Sequence, residues 1–444
     1  MAEVTRRRVI ATASAAALAA PFVRGAYAAG KLNIGFWDHW VPGANDVLAK
    51  LVHEWADKEK VDVKIDFITS QGDKLLMTIA SEREAKIGHD LLTMGNWQVR
   101  DKAEDLEPVD DVMKEIIAQN GPTPQIVEFL GKEDGHWVGV PACAGSQAKP
   151  PCGRIDLLKQ YAGIDVQKMY PADALADKEL ADRWTWDTFL VAAEKCAKAG
   201  FPFGMPLGST SDSYDWVSAV LTAYGATLVN ENGEITVKSD ATRQVLAWFQ
   251  KLVPFLPPEV FAWDDAGNNK ALIAGKAALI MNPPSAWAVA VRDAPQIGEQ
   301  LWTFAPPTGP KGRFSPFIGN FWPIWKFSSN KAAAKNLLVY LSQKSAMEQL
   351  VAGSKGYDIP PYDRMRDFPT WSDVGPPKGT IYNYPPRGDV ILSLASAPAP
   401  PKIAVQISTQ ATAVKMVAQC THQGQSIDQA MDWATGELEG FMRS

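Results

Sequence analysis

The residues best suited to chemistry in this chain are tryptophans set beside polar side chains. Sixteen Trp occur in 444 residues. Trp37-Asp38-His39-Trp40, Asn96-Trp97-Gln98, Ser211-Asp212-Ser213-Tyr214-Asp215-Trp216, Pro283-Pro284-Ser285-Ala286-Trp287 and Asn320-Phe321-Trp322 each put a flat ring next to hydrogen-bonding groups. That pairing suits a polyhydroxylated ligand. A sugar offers apolar C–H faces that rings can cover, and a rim of hydroxyls that Asp, Asn, His and Ser can satisfy. A hydrogen bond to a carboxylate is worth roughly 1.5–3 kcal/mol, so a handful reach micromolar binding, about −8 kcal/mol. The candidate ligand residues are Asp38, His39, Trp40, Trp97, Asp212, Tyr214, Trp287, Asn320 and Trp322. Each has a competing role. A Trp beside Pro also packs cores, and Asp38 also orders the turn ahead of a helix. Asp90 reads as a turn residue. Trp55 and Trp248 read as core or surface cover on helix faces.

Signatures of catalysis are missing or incomplete. Gly25 to Lys31 has the spacing of a phosphate loop, but Leu32 stands where Ser or Thr is needed, and the segment precedes a strand instead of following one. His53-Glu54 opens like a zinc-protease helix, yet Asp57 occupies the place of the second histidine. There is no GxSxG. The five histidines lack metal-ligand spacing. Asp110-Asp111 and Asp264-Asp265 lie in loops or at helix starts, where solvation and capping explain them. A glycosidase-type carboxylate pair stays open, because its members can be distant in sequence. The reading is a binding protein without a cofactor and not an enzyme.

The elements that must position these residues alternate. Lys31 to Trp37 reads as a strand, and Val61 to Phe67 alternates strictly as a second. Between them Val47, Leu48, Leu51, Val52 and Trp55 share one helical face, with Asn45 as the expected cap. Gly72 to Lys86 follows as a helix with Leu75, Leu76 and Ile79 inward, then a short strand from Asp90 to Met94. This is the α/β pattern with a mostly parallel sheet, in which ligands bind beyond the carboxyl ends of strands. Helices are expected over 188–199, 242–253 and 265–275, the last ended by Gly275 ahead of a strand at 277–281. Two closing helices are expected at 407–419 and 426–442.

The start of the chain says where it works. Thr5-Arg6-Arg7-Arg8 is followed by an Ala-rich run from Val9 to Ala20 and by Ala26-Tyr27-Ala28. That is the three-part plan of a secretory signal, here of twin-arginine type, with cleavage expected after Ala28 or Ala29. The apolar run is too short to span a bilayer, which needs about 20 residues. No Cys closely follows it, which argues against a lipid anchor. The expected product is a free periplasmic protein of roughly 415 residues, enough for two or three domains. The full chain carries −6, and residues 1–29 contribute +3, so the remainder is near −9. Nucleic acid and anionic membranes are therefore poor partners. Of the four cysteines, Cys143 and Cys152 bracket a short loop. They read equally as a disulfide or as two free thiols.

Ala271-Leu272-Ile273-Ala274-Gly275-Lys276-Ala277-Ala278-Leu279-Ile280-Met281, followed by Trp287, resembles a helix, turn, strand and Trp-bearing loop of the solute-binding proteins of ABC importers. The likeness is to the sugar-binding branch that includes maltose-binding protein. Leu279 stands where that pattern usually has Met. Gly88-His89-Asp90, Gly135 to Pro141 and Ser426 to Met442 resemble other parts of the same family. The resemblance implies two α/β lobes with ligand in the cleft between them. Lobe 1 would comprise 30–139 and 315–358, and lobe 2 would comprise 140–314 and 364–444. Crossings would lie near 139–141, 312–316 and 358–364. It implies Trp97 and Trp287 as the aromatics of the first and second lobes, Asp38 as the acidic residue after strand one, and Asn320 near the cleft. It also implies a membrane permease as partner, hinge closure as the mechanism, a monomer, and a sugar or polyol as ligand; the alternative is a charged organic metabolite, for which Arg100, Arg154 and Arg364 are available.

Overall fold

The computed structural model describes residues 30–171, 175–282, 285–365, 367–373 and 389–443. The expected signal at 1–29 lies outside them, as do Pro283 and Pro284.

The opening alternation forms as the periodicity requires. β1 (Lys31–Trp37), α1 (Ala44–Glu59), β2 (Asp62–Ile68), α2 (Lys74–Ala85) and β3 (Leu91–Leu92) build a parallel sheet ordered β2-β1-β3. Leu32, Ile34 and Phe36 of β1, which share one face of the strand, are wholly buried. α1 lays Leu48, Leu51, Val52 and Trp55 inward. Trp55 is core, and its Nε1 donates to Asn336 Oδ1. Asn45 does not cap α1. Gly43, at φ 88°, occupies the cap position, and Asn45 turns back to the preceding loop. In α2, Leu75 and Ile79 are buried but Leu76 is exposed, because the 100° step from Leu75 carries it off the inner face.

The segment 90–94 is not one strand. Asp90 is buried ahead of β3, where it accepts from Asn33 N and Ser328 Oγ. β4 (Met94–Gly95) joins a different sheet. Then come α3 (Asn96–Asp101), α4 (Asp110–Asn120), α5 (Gln125–Gly131), a hairpin of β5 (Lys132–Glu133) and β6 (His136–Trp137), and β7 (Val140–Pro141). The sheet holding β4 has the order β4-β13-β7, with β13 (Asn320–Trp322) antiparallel to both neighbours.

The other lobe is built on β8 (Pro151–Arg154), β9 (Leu279–Met281) and β10 (Leu301–Thr303), antiparallel in the order β10-β8-β9. Beside it β11 (Thr308–Gly309), β12 (Gly312–Pro316) and β14 (Val390–Ser393) take the order β11-β12-β14, with β12 and β14 parallel. The expected parallel pairing is thus realised in the sheet β2-β1-β3, while β4-β13-β7 and β10-β8-β9 are antiparallel and β11-β12-β14 is mixed. Its helices are α6 (Trp186–Lys198), α7 (Ser211–Tyr224), α8 (Asp240–Leu252), α9 (Gly267–Ile273) and α10 (Ser285–Asp293). Thr185, Thr210 and Ser239 cap α6, α7 and α8 by accepting the N–H three residues on. Trp248 is buried, not surface cover. Gly275, at φ 72°, makes the turn between α9 and β9.

α11 (Lys331–Leu341) and α12 (Lys344–Gly353) return to the first lobe, where both pack on α1. The expected helix at 407–419 is two, α13 (Pro401–Thr409) and α14 (Thr412–Thr421), broken where Ala411 adopts φ 50°. α15 (Ile427–Arg443) closes the chain. Among the described residues no helix is long and apolar enough to cross a membrane.

Candidate ligand-binding site

Three segments run between the two sets of sheets, and hydrogen bonds lace them together. The first leaves β7 and reaches β8. Along it Ala142 N donates to Asn320 O, Lys149 N donates to Pro316 O, and Ala144 O accepts from Asn320 Nδ2 at 2.8 Å. The second, between β12 and β13, is clamped by Asn96, whose Nδ2 donates to Phe317 O and whose Oδ1 accepts from Gly319 N. The third leaves α12. There Ile359 N donates to Gly145 O, and Asp358 Oδ1 accepts from Gly145 N at 2.6 Å. Two expected crossings, 139–141 and 312–316, fall on or beside β7 and β12, so the connecting backbone begins after each. Asp363 and Arg364 still bond to Pro122 and Asn120 of the first lobe.

The loop that follows β1 forms one wall. Asp38 Oδ1 accepts from Asn45 Nδ2 at 2.7 Å, and Asp38 N donates to Ile68 O, so its observed bonds are those of a turn-ordering residue. His39 is buried against Trp37 and lies edge-on to Tyr357, with ring centroids 4.7 and 5.0 Å away. Its Nδ1 accepts Val41 N–H at 2.8 Å, which fixes the proton on Nε2, and that atom donates to Asp358 Oδ1 at 3.0 Å. Trp40 is half-buried in the same loop. A cavity of about 20 Å³, room for one water, opens between Trp37, His39, Thr93, Cys143, Trp322 and Asp358. Cys143, His39 and Asp358 do not form a nucleophilic triad. Both imidazole nitrogens are taken, and burial together with Asp358 holds the Cys143 thiol well above its usual range.

The second wall is polar and charged. Lys149 Nζ lies 2.7 Å from Asp212 Oδ1 and 2.6 Å from Asp215 Oδ2, with all three side chains buried. Asp212 Oδ2 also accepts from Asn268 Nδ2 at 2.7 Å and Asn282 Nδ2 at 3.0 Å. Burial would lower the Lys149 pKa, but the two carboxylates outweigh it and keep the ammonium charged. Burial raises both carboxylates against the pull of the one ammonium they share, Asp215 to about 6. Tyr214 stands beside this group. Burial, then Asp215, pushes its phenol up.

The tryptophans separate into two kinds. Trp287 joins an apolar cluster that spans the lobes, with Val41, Ala44, Tyr357 and Ile359 from one side and Leu272 and Ile280 from the other. Trp97 is buried, edge-on to Phe129, and its Nε1 donates to Ala395 O at 2.9 Å. Its one donor is spent on that carbonyl. Trp322 is buried against Phe36 behind the β1 loop, and Asn320 spends its amide on the first connecting segment.

Three residues of the second wall went unmarked in the sequence. Lys149 sits in a loop ahead of Pro150-Pro151, where no spacing marks it. Asn268 lies inside the helix of the 271–281 motif. Asn282 follows a strand end, the same signal that singled out its neighbours. The four cysteines are free and buried, so the possible Cys143–Cys152 disulfide is not formed. Cys152 lies within β8, in register with Thr303 and Ile280, and Cys143 lies on the connecting segment beside Asp358.

A sequence match to a bacterial extracellular solute-binding protein family extends over residues 56–375, well over half the chain. The chain belongs to that family. No curated protein matches the sequence. Solved structures give the same fold at low identity. A maltose-bound MalE3 of T. maritima superposes with a TM-score of 0.74 and 18% identity, covering 93% of this chain and 99% of that one. The GacH receptor of Streptomyces glaucescens, solved with acarbose, gives 0.71 and 17% over 94% and 98%. A solute-binding protein of an ABC transporter from Agrobacterium vitis with bound D-mannitol gives 0.70 and 18% over 94% and 99%. These likenesses show the two-lobed periplasmic-binding fold for this solute-binding protein.

Proposed function

We propose that this protein is the substrate-binding component of an ABC importer that captures a neutral sugar or polyol between its lobes and delivers it to a membrane permease. One observation carries the reading. The interlobe region combines the rings of Trp37, Tyr357 and Trp287 with carboxylates and amides, and its cation, Lys149, is already shared by two carboxylates. An anionic ligand would want an arginine there. Arg100 instead pairs with Glu133, Arg154 with Asp156, and Arg364 lies against Gly121 of the first lobe. Structural neighbours bound to maltose, acarbose and D-mannitol support the same ligand class.

In this reading the three connecting segments are the hinge. Lobe 1 comprises 30–141 and 320–358, and lobe 2 comprises 151–316 and the residues from 389 on. Closure brings Val41 and Trp287 into one cluster around the ligand, and the differential affinity of the ligand shifts the population toward the closed form. In this reading the protein is exported to the periplasm by its twin-arginine-type signal and acts as a monomer.

Thermal-shift screening across maltose, acarbose, D-mannitol, polyamines and organic anions tests the ligand class. A ligand at a hundred times its Kd adds about 2.7 kcal/mol of stability. Stabilisation by a neutral sugar or polyol alone is expected, and stabilisation by anions alone overturns the reading. Trp287→Ala should weaken the binding at least tenfold by calorimetry.

A further inference from the structure

Asp358 joins more than two stretches of backbone. Its Oδ1 takes two donors at once, Gly145 N–H at 2.6 Å and His39 Nε2–H at 3.0 Å. The first belongs to a segment connecting the lobes, the second to the loop behind β1. Asp358 is itself anchored at the end of α12, since its N–H donates to Ser354 Oγ, which bonds to Val351 O. On the other side of the imidazole, Nδ1 accepts Val41 N–H at 2.8 Å, and His39 N donates to Asn45 Oδ1 at 3.1 Å. Val41 in turn belongs to the cluster holding Trp287 of the opposite lobe. An unbroken series of bonds therefore runs from Gly145 through one carboxylate oxygen and one imidazole to the residue that meets the far lobe.

The chemistry of that series resists partial rupture. Both donors on Asp358 are buried, and a buried donor that loses its acceptor bears the full desolvation penalty. The neutral imidazole cannot turn over to compensate, because its nitrogens have opposite roles, acceptor toward Val41 and donor toward Asp358. Gly145, at φ 126°, has a backbone open to reorientation, so its N–H direction depends on the acceptor it faces. If hinge movement swings Gly145 away, Asp358 must follow or lose the bond, and His39 and Val41 follow Asp358.

We propose that Asp358 is a positioning residue for ligand capture: through His39 it makes the pose of the β1 loop depend on the state of the hinge. The hinge then does not merely carry two rigid walls toward each other. It also sets one of them.

Hydrogen exchange on the ligand-free full chain, read by mass spectrometry, tests this whatever ligand the protein takes, so a failure of the sugar assignment leaves the result intact. Asp358→Ala should speed exchange at least tenfold in peptides covering Gly145 and also in those covering His39 to Val41. Peptides within β2 should stay unchanged. Asp358→Asn, which keeps an acceptor oxygen in place, should restore protection at both sites. Unaltered protection of His39 and Val41 in Asp358→Ala overturns the proposal, as does failure of Asp358→Asn to restore it. If the alanine variant does not fold, His39→Phe cuts the link from the other end and leaves the Asp358–Gly145 bond itself untouched. Coupling is reciprocal, so faster exchange at Gly145 and Ile359 is then expected, and wild-type protection there refutes the coupling.

Discussion

Lys149 and Asp215 form an ion pair at 2.6 Å with side chains only 3% and 5% exposed, inside the lobe wall. With Asp212 on its other side, this lysine is the shared partner of two carboxylates that are nearly removed from water. Removing one partner of a buried pair typically costs about 3–5 kcal/mol, because the other is left charged and alone. Lys149→Met should destabilise the protein by about that amount in urea unfolding. Adding Asp215→Leu should recover part of the loss, and no recovery would show that the pair is not the cause.

Asp215 gives a pH signature with a definite sign. Its folded pKa, raised by burial to about 6, exceeds the unfolded value near 3.9, so the folded state binds the proton more tightly. Its contribution to stability is full below about pH 4 and is lost as pH rises through about 6, a swing of up to about 3 kcal/mol. Asp215→Asn lacks this swing. The variant should therefore gain on the wild type as pH rises from 4.5 to 7.5 in parallel urea titrations. Parallel pH profiles for the two proteins would refute the assignment.

Trp97→Ala should act on stability and not first on ligand binding. The ring is buried and its N–H is committed to Ala395 O, so truncation leaves a cavity and an unmet carbonyl. A loss of about 3–5 kcal/mol is expected in thermal or urea unfolding. An unchanged midpoint together with weakened sugar affinity would return Trp97 to the cleft.

The cysteines should behave as inert thiols. Burial pushes Cys152 up to about 12, and Cys196 and Cys420 up to about 11, and burial with Asp358 alongside holds Cys143 well above its usual range. Attack requires the thiolate. A chromogenic disulfide reagent should find no reactive thiol in the native protein and four in denaturant. Two in denaturant would indicate the Cys143–Cys152 bridge.

Much of the fold was legible because it rests on local periodicity. The alternation in β1 and β2 and the apolar face of α1 follow from residue spacing, and so does the Gly275 turn. The site was harder to read, because its polar wall is assembled from residues far apart in sequence. Lys149 meets Asp212 and Asp215 across more than sixty positions, and His39 meets Asp358 across more than three hundred. Aromatic and polar neighbours in sequence marked segments such as 37–40 and 211–216, which line the two walls described above. They could not tell Trp287, in the apolar cluster with Val41 and Tyr357, from Trp97, whose N–H is spent on Ala395 O, because that difference lies in what meets each ring. Asn45 was misread for a related reason. It sits at the start of α1, but Gly43 already supplies the turn, which frees its amide to hold Asp38 and His39.

The strand order β4-β13-β7 has a consequence for biosynthesis. Its central member, Asn320–Trp322, is made long after both flanking strands. At about 5–20 residues per second, roughly ten to forty seconds separate Pro141 from Trp322 on the ribosome. Throughout that interval Met94-Gly95 and Val140-Pro141 have no partner between them. The emerging polypeptide cannot finish its first lobe before most of its second has been translated, so the two flanking strands must wait for the late one to pair between them.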